Sequence, residues 1–352
     1  MTLQESDKFA TKAIHAGEHV DVHGSVIEPI SLSTTFKQSS PANPIGTYEY
    51  SRSQNPNREN LERAVAALEN AQYGLAFSSG SATTATILQS LPQGSHAVSI
   101  GDVYGGTHRY FTKVANAHGV ETSFTNDLLN DLPQLIKENT KLVWIETPTN
   151  PTLKVTDIQK VADLIKKHAA GQDVILVVDN TFLSPYISNP LPFGAASLSS
   201  SGTTSGRSFS RYKGKERQAA LSANKIAEFL AADKENVVAV NYPGLKTHPN
   251  YDVVLKQHRD ALGGGMISFR IKGGAEAASK FASSTRLFTL AESLGGIESL
   301  LEVPAVMTHG GIPKEAREAS GVFDDLVRIS VGIEDTDDLL EDIKQALKQA
   351  TN

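Results

Sequence analysis

The sequence predicts an α/β fold, with a mostly parallel, doubly covered sheet followed by a smaller C-terminal α/β domain. Three observations carry that expectation. From Asn57 to Asn180, short apolar runs alternate with segments of helical periodicity. Each apolar run is closed by a polar or turn residue, the pattern of strands covered on both faces. At Gly194 the texture changes to Ser, Gly and Thr, and periodic segments resume at about Glu216. Size and composition agree: of 352 residues, 39% are hydrophobic and 20% charged, enough apolar material for a sizeable core.

The elements follow in order. Arg58 to Ala71 carries Leu61, Ala64, Val65 and Leu68 on one helical stripe. Gly74 to Phe77 reads as a short strand halted by Ser78-Ser79-Gly80, and Ser81 to Leu88 as a helix. His96 to Ile100, Leu142 to Glu146 and Val174 to Val178 read as strands. Val155, Ile158, Val161, Leu164 and Ile165 mark a helix between the last two. Ala195 to Ser210 has too little apolar surface to order itself and reads as a flexible linker. Beyond it come a helix from Glu216 to about Ala232 and strands at Val237 to Val240 and Met266 to Arg270. A last helix bears Leu339, Leu340, Ile343 and Leu347, with Thr336 as its N-cap. The expected organisation is an N-terminal arm (1–56), a large domain (57–194), a linker (195–216) and a C-terminal domain (217–352).

Several function classes lose support at once. Lys and Arg total 33 against 39 Asp and Glu, a net charge of −6, which argues against nucleic acid as the partner. The absence of cysteine excludes disulfides, thiolate metal sites and a Cys nucleophile. Met1 to Ala16 has no apolar signal core, and no apolar run approaches membrane-spanning length. A soluble, cytoplasmic protein without membrane contact is expected. His15-Ala16-Gly17-Glu18-His19 matches the H-x-x-E-H zinc pattern, yet Gly17 interrupts the helix that pattern requires, so no metal site is assigned.

The polar clusters follow strands, where ligands of such sheets bind. Ser78-Ser79-Gly80-Ser81 opens a helix, so its free N–H groups suit one phosphate, although taken alone the residues fit an ordinary N-cap better. Asp179 at a strand end needs a cationic or N–H partner; it can hold a protonated ring nitrogen or cap the next turn. Glu146 to Pro151 can present Asn150 to a ligand or end its strand. Tyr104 beside Gly105-Gly106 can face a flat ligand or serve packing.

Taken together, Tyr50-Ser51-Arg52 with Asn55-Pro56, the Ser-Gly-Ser turn, Asp102 to Thr107, Glu146 to Pro151, Asp179 to Phe182, Ala291 to Leu300 and Arg328 to Asp335 resemble the pyridoxal-phosphate (PLP) enzymes of cysteine and methionine metabolism, in particular the fungal branch of its γ-lyases. The resemblance runs from about Lys12 to Phe193 and again from about Arg217 onward. It implies the fold-type I architecture of aspartate aminotransferase, PLP as cofactor, an amino-acid substrate and a homo-oligomer, a tetramer in the family. It further implies that Gly80 and Ser81 hold the cofactor phosphate, with Tyr50 and Arg52 reaching it from a neighbouring subunit. Tyr104 would stack on the ring, Asn150 contact its hydroxyl, and Asp179 pair with its nitrogen. Arg328 would clamp the substrate carboxylate beside Ser293, and Glu292 would favour γ-elimination. The implied reaction cleaves cystathionine to cysteine, 2-oxobutyrate and ammonia, with γ-synthase and methionine γ-lyase activities as alternatives.

The chain departs from that pattern at one point. The family carries its Schiff-base lysine on a Ser-x-Thr-Lys strand after the ring-binding Asp, but Asp179 to Arg211 contains no lysine, and Thr203-Thr204 is followed by Ser205. The Ser/Gly/Thr linker stands in place of that segment, which leaves the large domain incomplete. Lys213 and Lys215 are the nearest substitutes. An impaired or inactive lyase is therefore expected, the alternative being a non-enzymatic remnant that holds PLP weakly or oligomerises.

Overall fold

The run Leu142–Ile145 is completely buried, and a parallel sheet spreads from it on both sides. The structure, a computed structural model, describes residues 4, 6–17, 23–199 and 209–351. Contacts divide the chain into two units: Met1–Ser78 with Thr204–Lys213, and Ser79–Thr203 with Gly214–Asn352.

The first unit holds helix α1 (Phe9–His15), an antiparallel ribbon of β1 (Gln38–Ser40) and β2 (Asn43–Pro44), and helix α2 (Pro56–Glu69). Asn55 caps α2, its side chain accepting the N–H groups of Asn57 and Arg58, and Pro56 occupies the first turn. α1 ends at His15. Gly17 follows at φ +83°, and a Cβ there would lie 2.3 Å from the Asn60 carbonyl oxygen, so glycine is what lets the chain pass α2. Glu18 and His19 of the H-x-x-E-H match lie outside the described residues. Gly74 to Phe77, expected as a strand, joins no ladder. Its Leu75 is 77% exposed, and periodicity alone cannot supply a pairing partner.

In the second unit, α3 (Gly80–Gln89), β3 (His96–Ile100), α4 (Gly105–Arg109), β4 (Glu121–Thr125), α5 (Leu128–Leu135), β5 (Thr140–Glu146), α6 (Ile158–His168), β6 (Ile175–Asp179), α7 (Ser184–Ile187) and β7 (Ser197–Ser199) build the first sheet and its helices. The sheet order is β4-β3-β5-β6-β7, and every pairing is parallel. β7 corrects the linker reading over Ser197 to Ser199, while residues 200–208 of the expected linker lie outside the described residues. Ser197, Leu198 and Ser199 pair with Val177, Val178 and Asp179, and the Ala196 N–H donates to the Leu176 carbonyl at 3.0 Å. The order comes from backbone hydrogen bonding to β6, which a count of apolar side chains does not register.

Helix α8 (Phe209–Ala232) begins inside the expected linker as well. It is followed by β8 (Val237–Asn241), α9 (Tyr251–Gln257), β9 (Met266–Ile271), α10 (Gly274–Ser284), β10 (Thr289–Leu290), β11 (Leu300–Glu302), α11 (Lys314–Ala319), β12 (Leu326–Ser330) and α12 (Thr336–Thr351). The second sheet has the order β10-β11-β12-β9-β8; β10 and β11 are parallel and the other pairs antiparallel. Its core joins Ile226 and Leu230 of α8, Phe269, Phe281 and Ile343. Thr336 is the first residue of α12 and not its cap. The Asp335 carboxylate accepts the Asp337 N–H at 3.0 Å, and the Thr336 hydroxyl meets that of Ser222 at 2.8 Å. No described helix is long and apolar enough to cross a membrane.

Buried His258 gives the fold a pH dependence. Burial, reinforced by His248, pushes it down to about 4, while its Nδ1 lies 3.0 Å from the Leu262 carbonyl. A folded value below the unfolded one means that the unfolded chain binds the proton first. Stability is therefore lost as pH falls from about 6.5 toward about 4, by up to about 3 kcal/mol. Denaturant midpoints of His258→Asn across that interval should lack this slope. The difference curve is the relevant quantity, because Glu216, raised to about 7 by burial, acts in the opposite direction.

Candidate active site

Three acidic residues mark the carboxyl ends of adjacent parallel strands: Asp102 after β3, Glu146 ending β5 and Asp179 ending β6. Glu146 and Asp179 are register partners. Burial raises all three carboxyls. Glu146 stands well above its ordinary range because the Asp179 and Asp102 charges add to that burial. Each has a built surrounding. Asp102 accepts the Thr152 hydroxyl, Glu146 Oε2 accepts the Tyr104 N–H at 2.9 Å, and Asp179 Oδ1 accepts the Thr181 N–H at 3.0 Å and its hydroxyl at 2.5 Å. Among the described residues no cation forms an ion pair with Asp179. A buried carboxylate so placed fits a protonated ring nitrogen.

Tyr104 precedes α4 and is 46% exposed. The glycines beside it do something other than admit a flat ligand. A Cβ on Gly106 would lie 2.4 Å from Tyr104 Cε1, and one on Gly105 would lie 3.0 Å from the Thr308 carbonyl oxygen. Gly106 makes room for the tyrosine ring itself. Gly80 and Ser81 open α3, with Ser79 as N-cap accepting the Ala82 N–H at 3.1 Å. The first N–H groups of this ten-residue helix have no intrahelical acceptor, and they can serve one phosphate.

Arg328 occupies the middle of β12 and is 3% exposed. Its Nη1 donates to Asn150 Oδ1 at 2.8 Å and pairs with Glu302 Oε1 at 3.0 Å, while Nη2 donates to the Ser293 carbonyl at 3.0 Å. Among the described residues Arg328 Nε has no partner. The edge formed by Nε and Nη2 is the one by which Arg270, on neighbouring β9, grips Asp325 at 2.7 and 3.0 Å. Ser293 is held at φ 91°, in the left-handed half of backbone space. Exposed Glu292 contributes to the field at Arg328.

Asn150, Ser293, Arg328, Tyr104 and Glu292 thus converge with Glu146 in the second unit. Tyr50 and Arg52 belong to the first unit, where the Arg52 guanidinium donates to the Tyr50 hydroxyl and lies 4.9 Å from the ring centroid. Lys213 lies in α8 but its side chain is outside the described residues. The Lys215 amine donates to the Gly295 carbonyl, two residues beyond Ser293. Sequence reasoning missed Glu302, Thr308 and His309. Thr308 donates to Glu302 Oε1 at 2.9 Å and meets His309 Nδ1 at 2.9 Å. His309 is pushed down to about 4 by burial and by the Arg328 charge. No sequence signal singles them out; the antiparallel pairing of β11 with β12 sets Glu302 opposite Arg328.

The architecture is the fold-type I arrangement of PLP-dependent enzymes. The chain belongs to the Cys/Met metabolism PLP-dependent enzyme family, which it matches over residues 10–204 and 215–348. It is 85% identical to a cystathionine gamma-lyase of Saccharomyces cerevisiae over 394 residues, covering 100% of both chains. A Dictyostelium discoideum cystathionine gamma-lyase is 43% identical, with 99% of each chain covered. The crystal structure of cystathionine gamma-lyase from yeast superposes with a TM-score of 0.96 at 84% identity, covering 100% of each chain. The yeast alignment runs over 394 positions against 352 residues here, so that relative carries residues with no counterpart in this chain. The interval 205–214, unmatched by the family, begins inside the Ser/Gly/Thr segment and runs past Ser210.

Proposed function

We propose that this chain is a cystathionine γ-lyase by descent, built to bind PLP and an amino-acid substrate, whose turnover as written is strongly impaired. The observation that carries the binding half is a buried Asp179 that no cation pairs among the described residues, together with a buried Arg328 whose Nε has no partner among them. In this reading Gly80 and Ser81 hold the phosphate, Tyr104 stacks on the ring, Asn150 contacts its hydroxyl, and Asp179 keeps its nitrogen protonated. Arg328 receives the substrate carboxylate beside Ser293, and Glu292 favours γ-elimination. The cofactor, when bound, supplies an electron sink for carbanion chemistry. The protein's part is to orient the ring, fix the substrate carboxylate and supply the proton-moving base. That base is the weak point, since no lysine occurs between Asp179 and Arg211. The 85% identity to a yeast cystathionine gamma-lyase supports the substrate over methionine or a synthase reaction.

The proposal keeps 57–194 as the large domain and 217–352 as the C-terminal domain, with 1–56 as the arm. A cytoplasmic homo-oligomer is proposed, with Tyr50 and Arg52 serving a neighbouring subunit. Apolar residues of the first unit support an interface: Val26 is 94%, Leu32 89% and Tyr73 78% exposed. A non-enzymatic PLP-holding oligomer is the second reading, favoured by the same missing base.

Borohydride reduction of the PLP-incubated protein followed by peptide mapping tests the proposal. The expected result is no pyridoxyl-lysine, together with equilibrium uptake of PLP that Asp179→Ala abolishes. A pyridoxyl group on Lys213 or Lys215 would overturn the impaired reading, and unaltered uptake by Asp179→Ala would overturn the site.

A further inference from the structure

We propose that Glu302 is the resident counter-ion of Arg328: it keeps the guanidinium charged and oriented inside the protein, and it sets how tightly a ligand carboxylate can bind. The inference rests on the reading of Arg328 as the carboxylate grip. Glu302 has zero exposure and Arg328 3%. The two are register partners on β11 and β12, so the backbone ladder fixes their approach. Their bond is one-pronged, Glu302 Oε1 to Nη1 at 3.0 Å, and among the described residues neither Glu302 Oε2 nor Arg328 Nε has a partner. Arg270 and Asp325, in the same sheet, form the two-pronged pair that Glu302 forgoes.

The remaining contacts close a circuit. Thr308 joins Glu302 to His309, the His309 ring bonds the Asn150 backbone, and the Asn150 side chain accepts from Arg328. The guanidinium plane is thereby fixed from the Nη1 side, and Nη2 is held by the Ser293 carbonyl, while buried Nε has no partner among the described residues. A guanidinium this buried needs a counter-charge before any ligand arrives, and Glu302 provides it. An arriving carboxylate is then a second anion on one cation, so Glu302 weakens its binding by charge while aligning its target. Glu302→Gln keeps an acceptor for Nη1 and removes the charge. The ligand must then supply what the side chain no longer does.

The test is thermal and calorimetric titration of the full chain, with PLP present at one fixed concentration. The probes are L-2-aminobutyrate and n-propylamine, the same molecule without its carboxylate. In Glu302→Gln the apparent affinity for L-2-aminobutyrate is expected to rise roughly tenfold, with n-propylamine unchanged and Glu302→Asp behaving like the unaltered chain. An unchanged or lowered affinity in Glu302→Gln, while the unaltered chain still prefers L-2-aminobutyrate, would overturn the role of Glu302 alone. Equal binding of both probes by the unaltered chain would overturn the Arg328 grip and this inference with it. Should Glu302→Gln fail to fold in chloride, recovery on refolding in acetate at the same ionic strength supports the proposal. Equal failure in both salts overturns it.

Discussion

Release of 2-oxobutyrate from cystathionine by this chain is expected to run roughly 10²–10⁴-fold below that of a lysine-bearing relative assayed in parallel, the usual contribution of a positioned general base. The cause lies in the stretch Asp179 to Arg211, which contains no amine to move protons between substrate carbons. Binding is a separate matter: Asp179, Asn150, Tyr104 and Arg328 are set by β3, β5, β6 and β12, none of which extends into residues 180–211. Substrate saturation should therefore persist while the maximal rate collapses. Grafting a Ser-x-Thr-Lys strand and its following helix in place of Ala195 to Ser210 should recover the rate. Turnover at the relative's level by the unaltered chain would mean that another amine acts. Lys215, already bonded to Gly295 beside the Ser293 loop, would be the first to examine.

Arg328→Leu is expected to cost about 3–5 kcal/mol of folding stability, the range for stripping one partner from a buried ion pair. The loss is this large because Glu302, at zero exposure, keeps its charge with no solvent to receive it, and Asn150 Oδ1 loses its donor as well. The double variant Glu302→Leu with Arg328→Leu should regain most of the loss, since two apolar side chains facing each other across β11 and β12 bury no charge. Urea midpoints at constant m-value provide the measurement. Equal destabilisation by the single and double changes would show that the pair contributes by shape and not by charge.

Much of the site was legible because its residues end strands. Asp179 and Glu146 stand out in sequence, since a carboxylate directly after four or five apolar residues has few structural uses. Their neighbourhood followed from the parallel order of β3, β5 and β6. Glu302 was not legible. Its three-residue strand carries no alternation, and its importance arises from a cross-strand partner 26 positions away that only the antiparallel register reveals. The fold shows the same division. Buried strands such as His96–Ile100 announce themselves by composition, whereas β7 is ordered by its neighbour's backbone and Gly74 to Phe77, apolar enough to pair, finds no neighbour. Of the two uses left open for Gly105-Gly106, the Cβ geometry at Gly106 favours packing, since its own Tyr104 ring fills the space. Local spacing does not distinguish those two uses of a glycine.

Among the described residues β7 is the outermost strand of the parallel sheet, and nothing pairs with its outer side. An outermost strand presents a hydrogen-bonding margin, and such a margin accepts any extended segment offered in register. Recombinant material should accordingly be vulnerable to strand-mediated clumping during expression and refolding. A short extended peptide that docks on this margin could act as a solubilising additive.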